Sequence, residues 1–254
     1  MEKAIVIIPA RYASTRFPGK PLARLGGREI ILRVCDRVSQ TGIRSVVATD
    51  DDRIYRLVDS AGYGVEMTGT HHRSGTDRVC EAFIHVCDKD PSMADAVIVN
   101  VQGDEPFVNP EDIRGLVAAF TDPSVDIATL VTPYPSSASW EGLEDPNLVK
   151  VEINARGEAM TFSRSVIPYL RGVDPVLWPA SHRYFTHVGV YAYRARVLTE
   201  ITRLPAGGLE SCESLEQLRW LQSGYRIATV MTERRSIGID TPEDLEAAAK
   251  LLKE

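Results

Sequence analysis

A chain of 254 residues with 44% hydrophobic and 25% charged residues has the composition of a globular enzyme, long enough for one large α/β domain or two small ones. Its net charge of −6 offers no basic face to nucleic acid or to an anionic membrane. The first apolar run, Ala4 to Ala10, is too short to span a bilayer and contains Pro9, and no export signal follows Met1, so the cytoplasm is the expected compartment.

Lys3 to Pro9 is a branched apolar run of strand length, the pattern of a strand buried on both faces. A loop from Ala10 to Leu22 follows, and Arg28 to Gln40 then has helical spacing through Ile30, Ile31, Val34 and Val38 before Gly42. Ser45 to Thr49 predicts a second strand, Asp51 to Ala61 a second helix, and Val65 marks a short strand. Thr76 to Cys87 predicts a helix and Ala96 to Val101 another buried strand. This β-α-β alternation predicts an α/β fold with a doubly wound, largely parallel sheet. Beyond it, Ile127 to Val131, Val149 to Ile153, His187 to Tyr193 and Ile227 to Met231 read as strands, Glu213 to Gln222 and Pro242 to Leu252 as helices. With no linker and no repeat, residues 1–254 read as one domain, with a smaller sub-structure after about residue 133.

Cys35, Cys80, Cys87 and Cys212 form no CxxC pair and read as small buried apolar residues kept reduced; Cys80 and Cys87, seven apart, can share a helix face. His71-His72 has no cysteine or histidine partner at metal-ligand spacing and reads as loop polarity.

The loop after the first strand brings Arg11, Arg16 and Lys20 together within ten residues, with Gly19 allowing close backbone approach. Ligands of open α/β sheets bind beyond the carboxyl ends of the strands, and a triphosphate needs several converging cations, so this loop is a candidate phosphate site. It is not a Walker A loop, and no GxGxxG is present. Asp104, in Gln102-Gly103-Asp104-Glu105-Pro106 at the end of a strand, is well placed to hold a hard cation, and magnesium suits few carboxylates plus phosphate oxygens. Near Asp240, Thr241 reads as a helix N-cap, Pro242 as the first helical residue and Asp244 as the partner in a capping box, which leaves Asp240 outside the helix as a second ligand. Asp50-Asp51-Asp52 imitates the DxD of glycosyltransferases, although the helix macrodipole accounts for Asp51 and Asp52.

Taken in order, PARYASTRFPGKPL (9–22), ATD (48–50), SGTDR (74–78), NVQGDEP (100–106), FSR (162–164), HVGVYAYR (187–194), LEQLR (215–219) and GIDTPEDL (238–245) resemble the 3-deoxy-manno-octulosonate cytidylyltransferase (CMP-KDO synthetase) family. The resemblance runs from residue 5 to about 250. It implies a nucleotide-diphospho-sugar transferase fold, usually a homodimer, that makes CMP-KDO and pyrophosphate from CTP and KDO for lipopolysaccharide synthesis. It assigns Arg11, Arg16 and Lys20 to the triphosphate, Thr49, Ser74, Gly75 and Thr76 to the cytosine and ribose, and Asp104 and Asp240 to catalytic Mg2+. Gln102, Arg164, His187, Tyr191, Glu216 and Gln217 fall to the sugar acid. From the residues alone, Arg164 is equally a surface arginine, His187 and Tyr191 one face of a half-buried strand, and Glu216 and Gln217 solvated helix positions. An acid, histidine and glutamine are more usual in this family where His71-His72-Arg73 stands, and a leucine where Phe17 stands. Related acids, 8-amino-KDO or a sialic-type nonulosonic acid, are the alternative substrates, and a DxD glycosyltransferase the alternative reaction.

Overall fold

The computed structural model describes residues 2–13, 17–233 and 238–252; Arg16, assigned above to the triphosphate, lies outside them. Among these residues one nine-stranded sheet runs in the order β11-β7-β10-β6-β1-β4-β5, with β8 and β9 attached beside β10. In chain order the strands and helices are β1 (Ala4–Ala10), the short hairpin β2 (Arg24–Leu25) and β3 (Arg28–Glu29), α1 (Ile30–Ser39), β4 (Arg44–Thr49), α2 (Asp52–Ser60), β5 (Gly64–Met67), α3 (Gly75–Lys89) and β6 (Val97–Asn100). Then come α4 (Pro110–Ala119), β7 (Ile127–Pro133), α5 (Trp140–Glu144), β8 (Lys150–Ile153), β9 (Ala159–Ser163), α6 (Trp178–Ser181) and β10 (Phe185–Arg194). The rest is α7 (Ala195–Ile201), α8 (Gly208–Glu213), α9 (Glu216–Gln222), β11 (Ile227–Met231) and α10 (Pro242–Leu251).

The period of two along β1 divides the core. Ile5 and Ile7 point to the face covered by α3, α7 and α9, where Val79, Phe83, Leu198 and Trp220 are buried. Val6 and Ile8 point to the opposite face with Val34, Ile54 and Ile113 of α1, α2 and α4. Both faces are therefore dry, which is why β1 reads as an uninterrupted apolar run.

β6, β1, β4 and β5 are parallel, as are β7 and β11. The sheet is mixed, however: β10 runs antiparallel to both β6 and β7. A run such as His187 to Tyr193 carries no sign of its own direction; tertiary pairing sets it. Helix α1 begins two residues later than its spacing predicts, because the Gly26-Gly27 turn folds Arg28 and Glu29 back onto Arg24 and Leu25. Cys35 and Cys80 are buried and all four cysteines are unpaired, but Cys212 is exposed, on the outer side of the short helix α8. No helix among the described residues is long and apolar enough to cross a membrane.

Candidate functional site

A polar cleft of about 290 Å³ opens at the carboxyl ends of β1 and β6. Pro9, Ala10 and Arg11 form one side, Ser74 and Gly75 at the start of α3 another, and Gln102, Gly103 and Asp104 the floor. Lys20 enters from a 3-10 turn at Lys20–Leu22, anchored where the Gly19 N–H donates to the Tyr12 carbonyl at 3.0 Å. Its ammonium donates to Asp104 Oδ2 at 2.5 Å and to Asp240 Oδ1 at 3.0 Å. Burial alone pulls the lysine's pKa down, but the two carboxylates outweigh it and hold the group above its ordinary value.

Local backbone chemistry brings these carboxylates together. Gly103 passes so close to β1 that a Cβ there would lie 2.9 Å from the Pro9 carbonyl, so only glycine lets the chain carry Asp104 over the strand end. The Ile239 N–H donates to the Asp104 carbonyl at 3.0 Å, which ties the segment before α10 to this loop. The capping box forms as expected, with Asp244 N–H on Thr241 Oγ1 and Thr241 N–H on Asp244 Oδ2. Asp244 Oδ2 also accepts from the Asp240 N–H at 3.0 Å, and this fixes the backbone while the Asp240 side chain reaches Lys20. Two converging carboxylates, half open to the cleft, are the hard oxygen donors that magnesium takes.

Arg11, Lys20, Ser74, Gly75, Gln102, Asp104 and Asp240 thus meet in one cleft. Thr49 is fully buried beneath it, its hydroxyl accepting from the Asp51 N–H at 3.3 Å. The Thr76 hydroxyl turns away from the cleft and donates to Glu216 Oε2 at 2.7 Å, joining the first turn of α3 to that of α9. Burial raises the Glu216 pKa, although Thr76 and Arg219 oppose the shift.

β10 lies next to β6 in the sheet, and its His187 and Tyr191 are not among the residues that line this cleft. Tyr191 pairs with Asn100, two residues before Gln102, whose side-chain amide donates to Asn100 Oδ1. The His187 and Tyr191 rings are neighbours, centroids 5.2 Å apart, because a bulge between Val188 and Tyr191 adds two residues and so preserves their common face. Among the described residues, the hydroxyls of Tyr191 and Tyr193, Gln217 Nε2 and Trp220 Nε1 are buried without a hydrogen-bond partner. Arg164 stands further off: its Nε donates to the Glu213 carbonyl at 2.6 Å and its Nη1 to the Pro146 carbonyl at 2.8 Å, bracing the end of α8.

Sequence analysis assigned no role to one charged cleft residue, Arg78, and flagged Arg73 only as a departure from the family pattern. Arg78 lines the cleft, is 4% exposed and donates to Asp50 Oδ2 at 2.6 Å; Arg73 adds a further cation. Arg78 closes SGTDR and Arg73 precedes it; for Arg78 the signal was the basic residue after that block's acid. Asp50 is thereby engaged with Arg78, while Asp51 caps α2 by accepting from the Arg53 N–H at 2.9 Å. Asp52, the second acid of the DxD pattern, opens the first turn of α2, so neither it nor Asp50 requires a DxD role.

Burial pushes the His187 pKa from 6.5 down to about 4, so the ring is neutral at physiological pH, with Nε2 3.0 Å from Thr129 Oγ1. The unfolded chain takes up this proton below about pH 6.5 and the folded chain does not, so stability falls as pH drops from 6.5 towards 4. The expected loss at pH 4 is about 3 kcal/mol. In urea unfolding, the stability gap between the protein and His187→Asn should narrow over this interval; a gap independent of pH would refute the assignment.

A cytidylyltransferase family profile matches residues 5–227. The 3-deoxy-manno-octulosonate cytidylyltransferase of Parabacteroides distasonis is 52% identical over 253 residues, 99% of each chain. A solved CMP:2-keto-3-deoxy-manno-octonic acid synthetase complexed with CTP is similar at 39% identity and TM-score 0.87, over 99% of this chain and 98% of that one. A 4-diphosphocytidyl-2C-methyl-D-erythritol synthase from Anaerococcus prevotii, 15% identical with TM-score 0.61 over 99% of both chains, shares the fold. With its motifs in order along the whole chain and this cleft at the strand ends, the chain belongs to the 3-deoxy-manno-octulosonate cytidylyltransferase family.

Proposed function

We propose that the protein transfers CMP from CTP to the anomeric 2-hydroxyl of KDO, releasing pyrophosphate. The observation that carries this reading is the cleft itself: Lys20 between Asp104 and Asp240, with Arg11, Arg73 and Arg78 along the walls. The sugar oxygen forms a bond to the α-phosphorus as the bond from that phosphorus to the bridging oxygen breaks; the electron pair leaves with pyrophosphate and the hydroxyl proton passes to solvent. Arg11 and Lys20 stabilise the charge of the leaving group, and Ser74 and Gly75 position the nucleoside, so the protein acts by orientation and electrostatics. Magnesium held by Asp104 and Asp240 would neutralise phosphate charge and acidify the sugar hydroxyl. The unpartnered polar atoms of Tyr191, Tyr193, Gln217 and Trp220 beside His187 and Glu216 support a hydroxyl-rich ligand there, because such groups are costly when left unmatched.

The reading includes a homodimer working in the cytoplasm. Exposed Tyr169, Val176 and Leu177, close to the Trp178 ring, support self-association through the part of the chain after residue 133. The test measures pyrophosphate release with CTP and a panel of ulosonic acids, on protein also examined by sedimentation. KDO should exceed a nine-carbon nonulosonic acid by at least tenfold in kcat/KM, and the protein should sediment at twice the chain mass. Preference for the nonulosonic acid would overturn the substrate.

A further inference from the structure

Three of the chain's five histidines gather around one carboxylate outside the cleft chemistry described above. We propose that His71, His72 and Glu81 form a binding site for a transition-metal ion of the zinc type, distinct from the Asp104–Asp240 pair. The inference stands independently of the nucleotidyl-transfer reading.

One ligand atom from each of these three side chains lies within 4.8 Å of the others. Imidazole and carboxylate ligands bind zinc at about 2.0–2.2 Å, which puts tetrahedral ligand atoms roughly 3.3–3.5 Å apart. The exposed His71 side chain can close that gap by a small rotation. Its ring already folds back over Gly69, where a Cβ would lie 2.5 Å from the ring's Cε1 and Nδ1 atoms, so the missing side chain at 69 is what admits the imidazole. Glu81 is held from behind, both of its oxygens accepting from the Gly69 N–H at 3.2 and 3.0 Å. Such outer contacts orient metal ligands and sharpen affinity. His72, only 8% exposed, meets the same carboxylate through Nε2. One helical turn beyond Glu81, His85 Nε2 lies 3.8 Å from Glu81 Oε1 on the same face of α3, next to the three-ligand group but not part of it.

The sequence hides this group because its third ligand is neither histidine nor cysteine and lies nine residues on from His72. Only the reversal of the chain into α3 brings it back. Two imidazoles with one carboxylate suit zinc, nickel, copper or cobalt, whereas magnesium prefers an all-oxygen set, so the two sites select different ions. Because His72 and Arg73 also line the cleft, an ion here would fasten that wall to α3.

The experiment uses the full chain stripped with EDTA and titrated with Co2+ as an optical probe, then with Zn2+ as competitor. One equivalent of Co2+ should give the visible d–d bands of nitrogen ligation, bleached by Zn2+. His71→Ala, a change at an exposed side chain, and Glu81→Gln should each weaken binding by about tenfold or more. Asp104→Asn should leave the bands intact. Circular dichroism of the His71→Ala protein serves as the control for folding. Absence of the bands, their survival in His71→Ala, or their loss in Asp104→Asn would each overturn the site.

Discussion

Replacing Asp104 or Asp240 by Asn should lower kcat by about 10³-fold, since a lost cation ligand removes several kcal/mol of transition-state stabilisation. The fold should survive, because both carboxylates are partly exposed and neither belongs to the apolar core. The geometry allows a competing explanation, in which the pair exists to anchor Lys20 at 2.5 and 3.0 Å. The two are separable by titrating magnesium in the pyrophosphate assay. If the carboxylates hold the ion, both Asn variants need more magnesium for half-maximal velocity, while Lys20→Met loses rate with little change in that concentration. Asn variants whose magnesium dependence matches that of the unaltered protein would reduce the carboxylates to lysine anchors. The same comparison decides whether Asp240 does more than precede a well-capped helix.

CTP should be used about 10- to 100-fold better than UTP in kcat/KM. Cytosine presents an exocyclic amine where uracil presents a carbonyl, and a site built to accept that hydrogen bond faces an unmatched acceptor when uracil enters. Purine triphosphates should do worse still. Gly75 faces the Pro9 ring and the Gln102 side chain, which a methyl group at 75 would already touch at 3.4 Å, so a purine's second ring would compete with these walls for space. Initial rates of pyrophosphate release with each triphosphate, at saturating KDO and magnesium, measure both ratios. Equal kcat/KM for CTP and UTP would remove the base assignment of Ser74 and Gly75 yet leave the phosphate cleft standing.

The parallel half of the sheet was legible because its strands are buried on both faces and announce themselves as apolar runs. That Arg11 and Lys20 would come to one place was legible because charge density in a short segment survives without any knowledge of packing. Helix α4 was overlooked although Asn109 caps it and Pro110 occupies its first turn, an N-terminal signature available in the sequence. The short helices α5 and α6 offered no periodicity to read. They are held by a cluster of Tyr134, Leu143, Trp178 and Tyr184, so their order comes from packing and not from propensity. The residues assigned to the sugar acid could be named only through the family pattern. Glu216 looks like any acid on an exposed helix until Thr76, 140 residues earlier, is found donating to it. Arg164 shows the converse, since a guanidinium proposed for a carboxylate proves to brace two backbone carbonyls as well.

The contact between Lys20 and Asp240 joins residues 220 positions apart in the chain. A polypeptide emerging from the ribosome can pair β1 with β4 and β6 once the first hundred residues are out, and those nearby contacts form early. The lysine then waits for most of the remaining synthesis with a single carboxylate, Asp104, at its side. The second arrives only when the segment around Ile239 docks against Leu25 and Ile30 in a small core of its own. Only the parallel half, β6-β1-β4-β5, can be made before the rest of the chain exists; β11, ending at Met231, and Asp240 arrive almost together, so sheet and cleft are both completed by the last of the chain.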